Sequence, residues 1–262
     1  MNKYKFLKKE HVHTFVGAPL CGTTSVVGVI SKNLTWWAAE VAAVTCLESG
    51  EKIPTIREEY QQACIGDKKR GIDALQKKYP IFKKARFAHY EEKNNKAEKG
   101  TDMHAELEKW VNLMISNQGG KPIEMKGYEH PAVEKFAKWA IENVERFIVS
   151  EGYTYSEKYW LGGIIDCMAI LKDGRTAIID FKSSREAFIS QFIQVALYDI
   201  QVSESGLFDE EGNRLRDAIK VDTYFIFPFG AVDVKPAERK DTEELKKGAL
   251  GAVELYKLIN QE

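Results

Sequence analysis

Paired cysteines of the kind that bind metal clusters are missing from this chain of 262 residues. Its 4 cysteines are scattered at positions 21, 46, 64 and 167, and no two of them form a C-x-x-C pair. Zinc-ribbon and iron–sulfur sites depend on such pairs. We therefore expect no iron–sulfur cluster, and reduced thiols in a cytosolic compartment fit this pattern best.

Long apolar runs are missing as well. No stretch approaches the roughly 20 apolar residues that span a membrane, so we expect no membrane contact. The N-terminus has lysines but no apolar core, and the first arginine is Arg57, which argues against a signal peptide or an Arg-rich transit peptide. These features agree with a cytoplasmic protein.

A strong net charge is also absent, because the formal charge is −1. Any phosphate binding must therefore come from local patches. One such patch is residues 67–86, where basic residues outnumber acidic ones. A solvated helix face and a contact with a polyanion both fit a run of this kind. We take Lys83, Lys84 and Arg86 from it as candidate DNA-binding residues.

The composition is typical of a globular protein, and 11% aromatic residues argue against disorder. Its patterns change near residue 99. Residues 1–98 read as an N-terminal extended and helical region packed on a core, with a helix at 34–47 and short charged helices broken at Gly66, Gly71 and Pro80. Residues 99–262 read as the core.

The core begins with helices and continues with strands. An amphipathic helix is predicted after Gly100, and a second one starts at Pro131. Strands are predicted at 153–158, 160–171, 176–182 and 221–227, a shorter one near 232–234, and further helices at about 186–203 and 241–260. This order predicts an α/β or α+β sandwich whose mixed sheet contains a hairpin.

The stretch IIDFKSS, residues 178–184, carries the first chemical signal. In a strand, Asp180 and Lys182 share one side while Phe181 faces the other. A local ion pair near the end of a strand explains this arrangement, and so does half of a metal-dependent site that cleaves phosphodiesters. The preceding sequence bears on the choice between them.

A short loop, KDG at 172–174, separates this strand from the one before it. If Gly174 takes the left-handed conformation of a three-residue hairpin loop, Asp166 falls directly opposite Asp180 on the same face. A two-residue loop would place Asp166 opposite Phe181, so that the two carboxylates point to opposite sides. The position of the glycine favours the first register.

Two carboxylates at this spacing repel each other. At an effective dielectric constant near 20, charges about 4 Å apart cost on the order of 4 kcal/mol. Such a pair shares a proton or binds a cation, and Mg²⁺ typically takes one or two carboxylates together with substrate phosphate. Lys182, on the same face, can orient a water molecule or balance phosphate charge. A structural cluster of Asp166, Asp180 and Lys182 is the alternative.

The following helix carries one polar stripe. Ser183 and Glu186 have the spacing of a capping box for its start. The stripe lies at helical spacing and consists of Gln191, Gln194, Tyr198 and Gln201. A helix that follows directly on the DFK strand can lay this stripe beside a metal, although such a stripe is also typical of a solvent-facing side.

Four motifs together resemble one nuclease family. GTDMH (100–104), GIID (163–166), DFK (180–182) and QVALY (194–198) are similar, in order and spacing, to the RecB-like branch of the PD-(D/E)xK nuclease superfamily. The N-terminal part resembles phage-type exonucleases of that branch more loosely. The resemblance covers about residues 100–200. It implies an α/β, restriction-endonuclease-like core with a mixed central sheet flanked by helices, and a helical N-terminal part.

The resemblance also implies a divalent metal site for Mg²⁺ or Mn²⁺. Its ligands would be His104, Asp166, Asp180 and the backbone carbonyl of Phe181. The candidate catalytic residues are Asp166, Asp180, Lys182, Gln194 and Tyr198. Lys182 would position or activate the attacking water, and Gln194 and Tyr198 would orient DNA or Lys182. No proline precedes Asp166, and the second acid is aspartate rather than glutamate, which this branch allows.

Several residues keep more than one interpretation. His104 and Glu108 fit a surface ion pair, and H-A-E matches half of a deaminase signature whose P-C-x-x-C half is absent. Glu157 and Glu108 are candidate outer-shell residues of the metal site. Trp36–Trp37 fit a wedge at a DNA end or a place in the core, and the two histidines at 11 and 13 fit a metal pair or an ordinary surface strand.

We therefore expect a metal-dependent deoxyribonuclease, with an exonuclease for DNA recombination, repair or end processing as the leading interpretation. A restriction-like or structure-selective endonuclease is one alternative, and a non-catalytic DNA-binding or scaffold protein on the nuclease fold is another. The expected partner is DNA, with a single-strand annealing protein or a helicase as a candidate protein partner. The expected location is the cytoplasm of a bacterium or of a phage-infected host cell.

Overall fold

The structure is a computed structural model. It describes residues 3–30, 38–39, 41–42, 45–46, 73, 76–124, 131–230 and 234–260, without the side chains of 86 and 89–101. Residues 1–31 and 100–262 form one compact unit, and residues 32–99 form a second. The predicted boundary near residue 98 therefore matches one edge of this division, whereas residues 1–31 group with the later part of the chain.

Strands and helices alternate along the described chain. The strands are β1 (Tyr4–Leu7), β2 (Val12–Phe15), β3 (Ala18–Pro19), β4 (Cys21–Gly22), β5 (Val144–Ser156), β6 (Leu161–Leu171), β7 (Thr176–Lys182), β8 (Leu207–Phe208), β9 (Arg214–Arg216), β10 (Thr223–Pro228) and β11 (Ala237–Arg239). The helices are α1 (Thr23–Val27), α2 (Pro80–Gln118), α3 (Pro131–Asn143), α4 (Ile189–Ser205) and α5 (Thr242–Asn260). Residues 38–39, 41–42 and 45–46 are also helical, within the helix predicted at 34–47.

Two predicted helix starts were wrong. Helix α2 begins at Pro80 and runs through Gly100 without a break, because an interior glycine costs a helix only about 1 kcal/mol relative to alanine. Helix α4 begins at Ile189 rather than near 186. Its first turn is capped by Gln191, whose side-chain oxygen accepts the N–H of Phe188 at 2.9 Å, and this replaces the predicted capping box.

The main sheet is mixed, as predicted. Its strands lie in the order β11-β10-β7-β6-β5-β8-β9, and β4 pairs with β6 beside this path. The β5–β6 and β6–β7 pairs are antiparallel, whereas β7–β10 and β4–β6 are parallel. Helix α4 makes the crossover between the parallel strands β7 and β10. The predicted α/β architecture with a mixed central sheet is therefore confirmed.

Helices cover both faces of this sheet. On one face, Met168 of β6 and Ile178 of β7 pack in a core cluster with residues of α4 and α5. On the other face, Ile179 and Phe181 of β7 pack with residues of α2 and α3, including Trp110. Side chains alternate along β7 as predicted. Asp180 and Lys182 therefore point to the same face of the sheet as Ile178, which is the face that α4 covers.

A small sheet of β1, β2 and β3 packs through aromatic residues against β5 and β8. Within it, His13 is buried and its Nδ1 lies 2.7 Å from the hydroxyl of Tyr4. The ordinary surface strand that was one interpretation of His13 is therefore wrong. None of the described helices combines the length and the apolar character needed to cross a membrane.

Candidate active site

The β6–β7 hairpin aligns the two predicted carboxylates. Its ladder runs from Ile170↔Thr176 to Cys167↔Ile179, and Gly174 has a φ of +87° in the loop. One step further in the same register sets Asp166 against Asp180. The predicted loop and register are thus confirmed. Because the ladder ends at Cys167, the two carboxylates lie where the strands begin to separate.

A histidine and a backbone carbonyl converge on Asp166. The Nε2 atom of His104, on α2, lies 2.7 Å from the carbonyl oxygen of Phe181 and 3.4 Å from Asp166 Oδ2. The N–H of Phe181 donates to the same carboxylate oxygen at 2.8 Å. Three of the four predicted metal ligands therefore meet at one point. The alternative of a surface ion pair between His104 and Glu108 does not explain these contacts.

The fourth predicted ligand, Asp180, is buried beside Lys182 and is only 1% exposed. The Nζ atom of Lys182 lies 2.9 Å from Oδ1 and 2.7 Å from Oδ2 of Asp180. Only the Oδ1 contact has the geometry of a hydrogen bond, and within the described part of the chain Oδ2 accepts none. Oδ2 is nevertheless in ion-pair contact with the Lys182 ammonium, so Lys182 holds both oxygens of Asp180.

Burial and charge set the protonation of the site. Burial raises the pKa of Asp180 to about 6, against the opposing charge of Lys182, and the negative charge of Asp166 adds to the rise. Burial also acts to raise the pKa of Asp166, but the hydrogen bond with His104 and the charge of Lys182 outweigh it and hold that pKa below its ordinary value.

Lys182 keeps its proton despite its environment. Burial acts to lower the pKa of its ammonium group, but Asp180 and Asp166 outweigh burial and raise that pKa above the ordinary value. Above pH 6 the site therefore holds two carboxylates and one ammonium.

Tyr198 and Gln194 of α4 lie beside this pair, as predicted. The side-chain N–H of Gln194 donates to the Tyr198 hydroxyl at 2.7 Å. Burial raises the pKa of Tyr198, and the charges of Asp180 and Asp166 raise it further, so the phenol stays protonated near the carboxylates. A Cβ atom on Gly163 would lie 2.6 Å from Tyr198 Cε1. The glycine of the GIID motif thus makes room for the tyrosine of the QVALY motif.

The polar stripe of α4 faces the protein interior rather than solvent. Tyr198 and Gln201 are buried, and Gln201 donates to the Thr23 hydroxyl at 2.7 Å. Thr23 in turn donates to the carbonyl oxygen of Gly162 at 3.1 Å. The stripe therefore ties α4 to α1 and to β6. The sequence interpretation in which it was solvent-facing is wrong.

Glu151 of β5 is a site residue that sequence reasoning missed. The β5–β6 register around it, Ser150↔Cys167 and Gly152↔Ile165, sets it across from Asp166. Burial raises the pKa of the Glu151 carboxyl, and the charges of Glu108 and Asp166 raise it further. Its φ is +49°, which is uncommon for a residue other than glycine. Carrying the hairpin register on to β5 would have found it.

The two predicted outer-shell glutamates have different places. Glu108 lies on α2 one turn after His104, and its charge acts on Glu151. Glu157 lies in the exposed turn that follows Ser156, which pairs with Leu161. Asp166 is five residues further along β6, or roughly 17 Å at the usual rise per residue. The structure therefore brings Glu108 to the site but not Glu157.

The predicted DNA-binding lysines lie in the second unit. The side chains of Lys83 and Lys84, in the first turns of α2, are exposed. The side chain of Arg86 and all of Trp36–Trp37 lie outside the described residues.

No group of three His, Cys, Asp or Glu side chains in the described ranges lies close enough to hold a metal ion in its present arrangement. In this arrangement the Asp180 carboxylate forms an ion pair with Lys182. The Asp166 carboxylate accepts the Phe181 N–H and lies against His104. The chemistry of the donors still fits a hard cation, which prefers carboxylate and carbonyl oxygens. In comparisons with known proteins, the chain matches no family model and no curated protein.

Proposed function

We propose that this protein is a divalent-metal-dependent deoxyribonuclease that acts as an exonuclease. The observation that carries the proposal is the meeting of His104 Nε2, Asp166 Oδ2 and the Phe181 carbonyl next to the Asp180–Lys182 pair. The resemblance of the motifs to RecB-like nucleases agrees with this chemistry.

Four groups would hold the cation, which we propose is Mg²⁺ or Mn²⁺. They are His104, Asp166, Asp180 and the carbonyl of Phe181. When bound, the cation would polarise the scissile phosphate and offset the negative charge that develops during hydrolysis.

The other residues would act on phosphate and water. Lys182 is protonated and would hydrogen-bond a phosphate oxygen or the attacking water, while its charge balances the phosphate. Gln194 and Tyr198, already joined by a hydrogen bond, would orient the strand or Lys182. Water adds to phosphorus, the bond to one ester oxygen breaks, and that oxygen leaves with a proton.

Digestion of end-labelled DNA tests the proposal. Linear duplex and single strands, labelled at the 5′ or 3′ end, are incubated with Mg²⁺, Mn²⁺ or EDTA. We expect metal-dependent release of label from linear DNA and no cutting of covalently closed circles. Asp166→Asn and Lys182→Met should lower the rate by at least a hundredfold. Asp217→Asn and Lys138→Met are matched controls, because both of these side chains are exposed.

The outcomes separate the candidate functions. Equal cutting of closed circles would replace the exonuclease with an endonuclease. Binding of DNA without hydrolysis under any metal condition would instead indicate a non-catalytic DNA-binding protein. Unchanged hydrolysis in Asp166→Asn and Lys182→Met would show that the active site lies elsewhere.

A further inference from the structure

The sheet opens beside the candidate active site. β6 pairs with β4 at Leu161 and Gly162, and with β7 from Cys167 onward. Between these points, residues 163–166 pair with neither strand in the described ladders. Asp166 lies at one end of this gap and Gly163 at the other, roughly 10 Å apart at the usual rise per residue.

A cavity of about 450 Å³ opens at the Gly163 end of the gap. We call it the neutral pocket, and its lining includes His13, Thr23, Ser25, Ile164, Tyr198 and Tyr256. Tyr198 belongs both to this pocket and to the surroundings of Asp180 and Asp166, whose charges raise the pKa of its phenol. The pocket and the candidate active site therefore share a wall.

Among the residues that the structure describes, the lining of the neutral pocket carries no Asp, Glu, Lys or Arg side chain. Its lining includes two histidines, His11 and His13. Burial, together with the charge of His11, lowers the pKa of His13 to about 4, so the His13 imidazole is uncharged at neutral pH. Burial also raises the pKa of Cys21 and of Tyr198, which keeps both protonated. A phosphate group would find no permanent cation there, whereas hydroxyl groups and apolar walls suit a flat, uncharged ligand with polar edges.

We infer that the neutral pocket receives a nucleobase of the DNA strand, the one attached to the nucleotide next to the scissile phosphate. This inference rests on the proposed nuclease function. For an exonuclease that base is the terminal one. The pocket is large enough for a base, and the roughly 10 Å from Asp166 to Gly163 matches the reach of a single nucleotide. Ser25, Thr24 and the Tyr198 hydroxyl supply hydrogen-bonding groups for its edge.

Oligonucleotides with a missing terminal base test this inference. Their 5′- or 3′-terminal nucleoside is replaced by an abasic tetrahydrofuran residue, and binding is measured by fluorescence anisotropy in EDTA, where metal-dependent cleavage is absent. We expect the wild-type protein to bind base-bearing ends about tenfold more tightly than abasic ends at one of the two termini, the scale expected for burying and stacking one base.

Two substitutions to tryptophan test whether the preference for base-bearing ends depends on the neutral pocket. Ser25→Trp places a large side chain at the pocket and should abolish the preference for a base. Ser116→Trp, at an exposed serine of α2 outside the pocket lining, should retain it. Equal wild-type affinity for base-bearing and abasic ends at both termini would overturn the inference, and so would an unchanged preference in Ser25→Trp. The wild-type comparison does not depend on either variant folding.

The base-binding inference and the nuclease proposal can be refuted independently of each other. Metal-dependent hydrolysis without any preference for a terminal base would overturn the neutral pocket as a base site and leave the nuclease proposal intact. A base preference in EDTA without hydrolysis in Mg²⁺ or Mn²⁺ would support the pocket and refute the nuclease.

Discussion

In the metal-free protein, the wild-type free energy of unfolding should fall as pH rises from about 4 to about 6, and Asp180→Asn, which alters a proposed catalytic residue, should lack this fall. The pKa of Asp180 is raised from its ordinary value of 3.8 to about 6, chiefly by burial. The folded protein therefore holds this proton more tightly than the unfolded chain does. As pH rises from about 4 to about 6, the unfolded chain ionises first, and the wild-type free energy of unfolding falls. Above pH 6 the loss is complete.

The size of the effect follows from the difference between the two pKa values. At 1.36 kcal/mol per pKa unit, the rise from 3.8 to about 6 corresponds to about 3 kcal/mol. Asparagine cannot ionise, so the variant avoids this cost. The free energy of unfolding of Asp180→Asn minus that of the wild type should therefore increase by about 2 kcal/mol between pH 4 and pH 7, because the unfolded chain has already begun to ionise at pH 4. Titrating groups distant from Asp180 cancel in this difference, whereas Asp166, Lys182 and His104, whose charges act on Asp180, also contribute to it.

Urea denaturation in EDTA at five pH values from 4 to 8, followed by tryptophan fluorescence, measures this difference. Asp217→Asn is the matched control, since Asp217 is 95% exposed and its difference from the wild type should stay flat. A flat or falling difference for Asp180→Asn would refute the reasoning from burial. If Asp180 also binds the proposed cation, 10 mM Mg²⁺ should stabilise the wild type but not Asp180→Asn, by about 2.7 kcal/mol for a Kd near 0.1 mM.

Three further substitutions probe the surroundings of the site. Gly163→Ala should destabilise the protein by about 1–3 kcal/mol in urea titrations, because its Cβ would clash with Tyr198, whereas Gly251→Ala in α5, with open space around it, should stabilise it by up to about 1 kcal/mol. Tyr224→Phe removes a 2.6 Å hydrogen bond to buried Asp199 and should cost about 1–3 kcal/mol while leaving DNA hydrolysis unchanged. Lys182→Met should raise the pKa of Asp180 further, seen as a shift to higher pH of the carboxyl titration measured by NMR.

Local sequence signals were sufficient to predict the register of the β6–β7 hairpin. The KDG loop has one glycine at the position that needs a left-handed backbone, and Gly174 indeed has a φ of +87°. Side chains in a strand alternate with a period of two, so a correct loop length sets the partner of every residue. That is why the pairing of Asp166 with Asp180 could be predicted from the sequence.

The start of α4 and the position of Glu151 at the site were harder to predict from the sequence. The start of α4 depends on Gln191, whose side chain caps the Phe188 N–H, whereas the N-cap residue Phe188 has no side-chain oxygen to complete a capping-box signal. Glu151 reaches the site through the β5–β6 hairpin, whose register runs without a shift from Ser156↔Leu161 to Val149↔Met168. The sequence pattern missed it because the predicted strand began only at residue 153.

The sequence by itself determined the order of the elements, the mixed sheet and the spacing of Asp166, Asp180 and Lys182, because these features depend on short-range periodicity and loop length. The motif resemblance predicted that His104 and the Phe181 carbonyl serve one metal, and the tertiary structure shows the contact by which His104, more than 60 residues upstream of Asp166, meets that carbonyl. Only the tertiary structure decided that Gly163 makes room for Tyr198 and that the sheet opens into an uncharged pocket. Contacts of this kind depend on how helices pack across a sheet, and no local pattern in the chain specifies that packing.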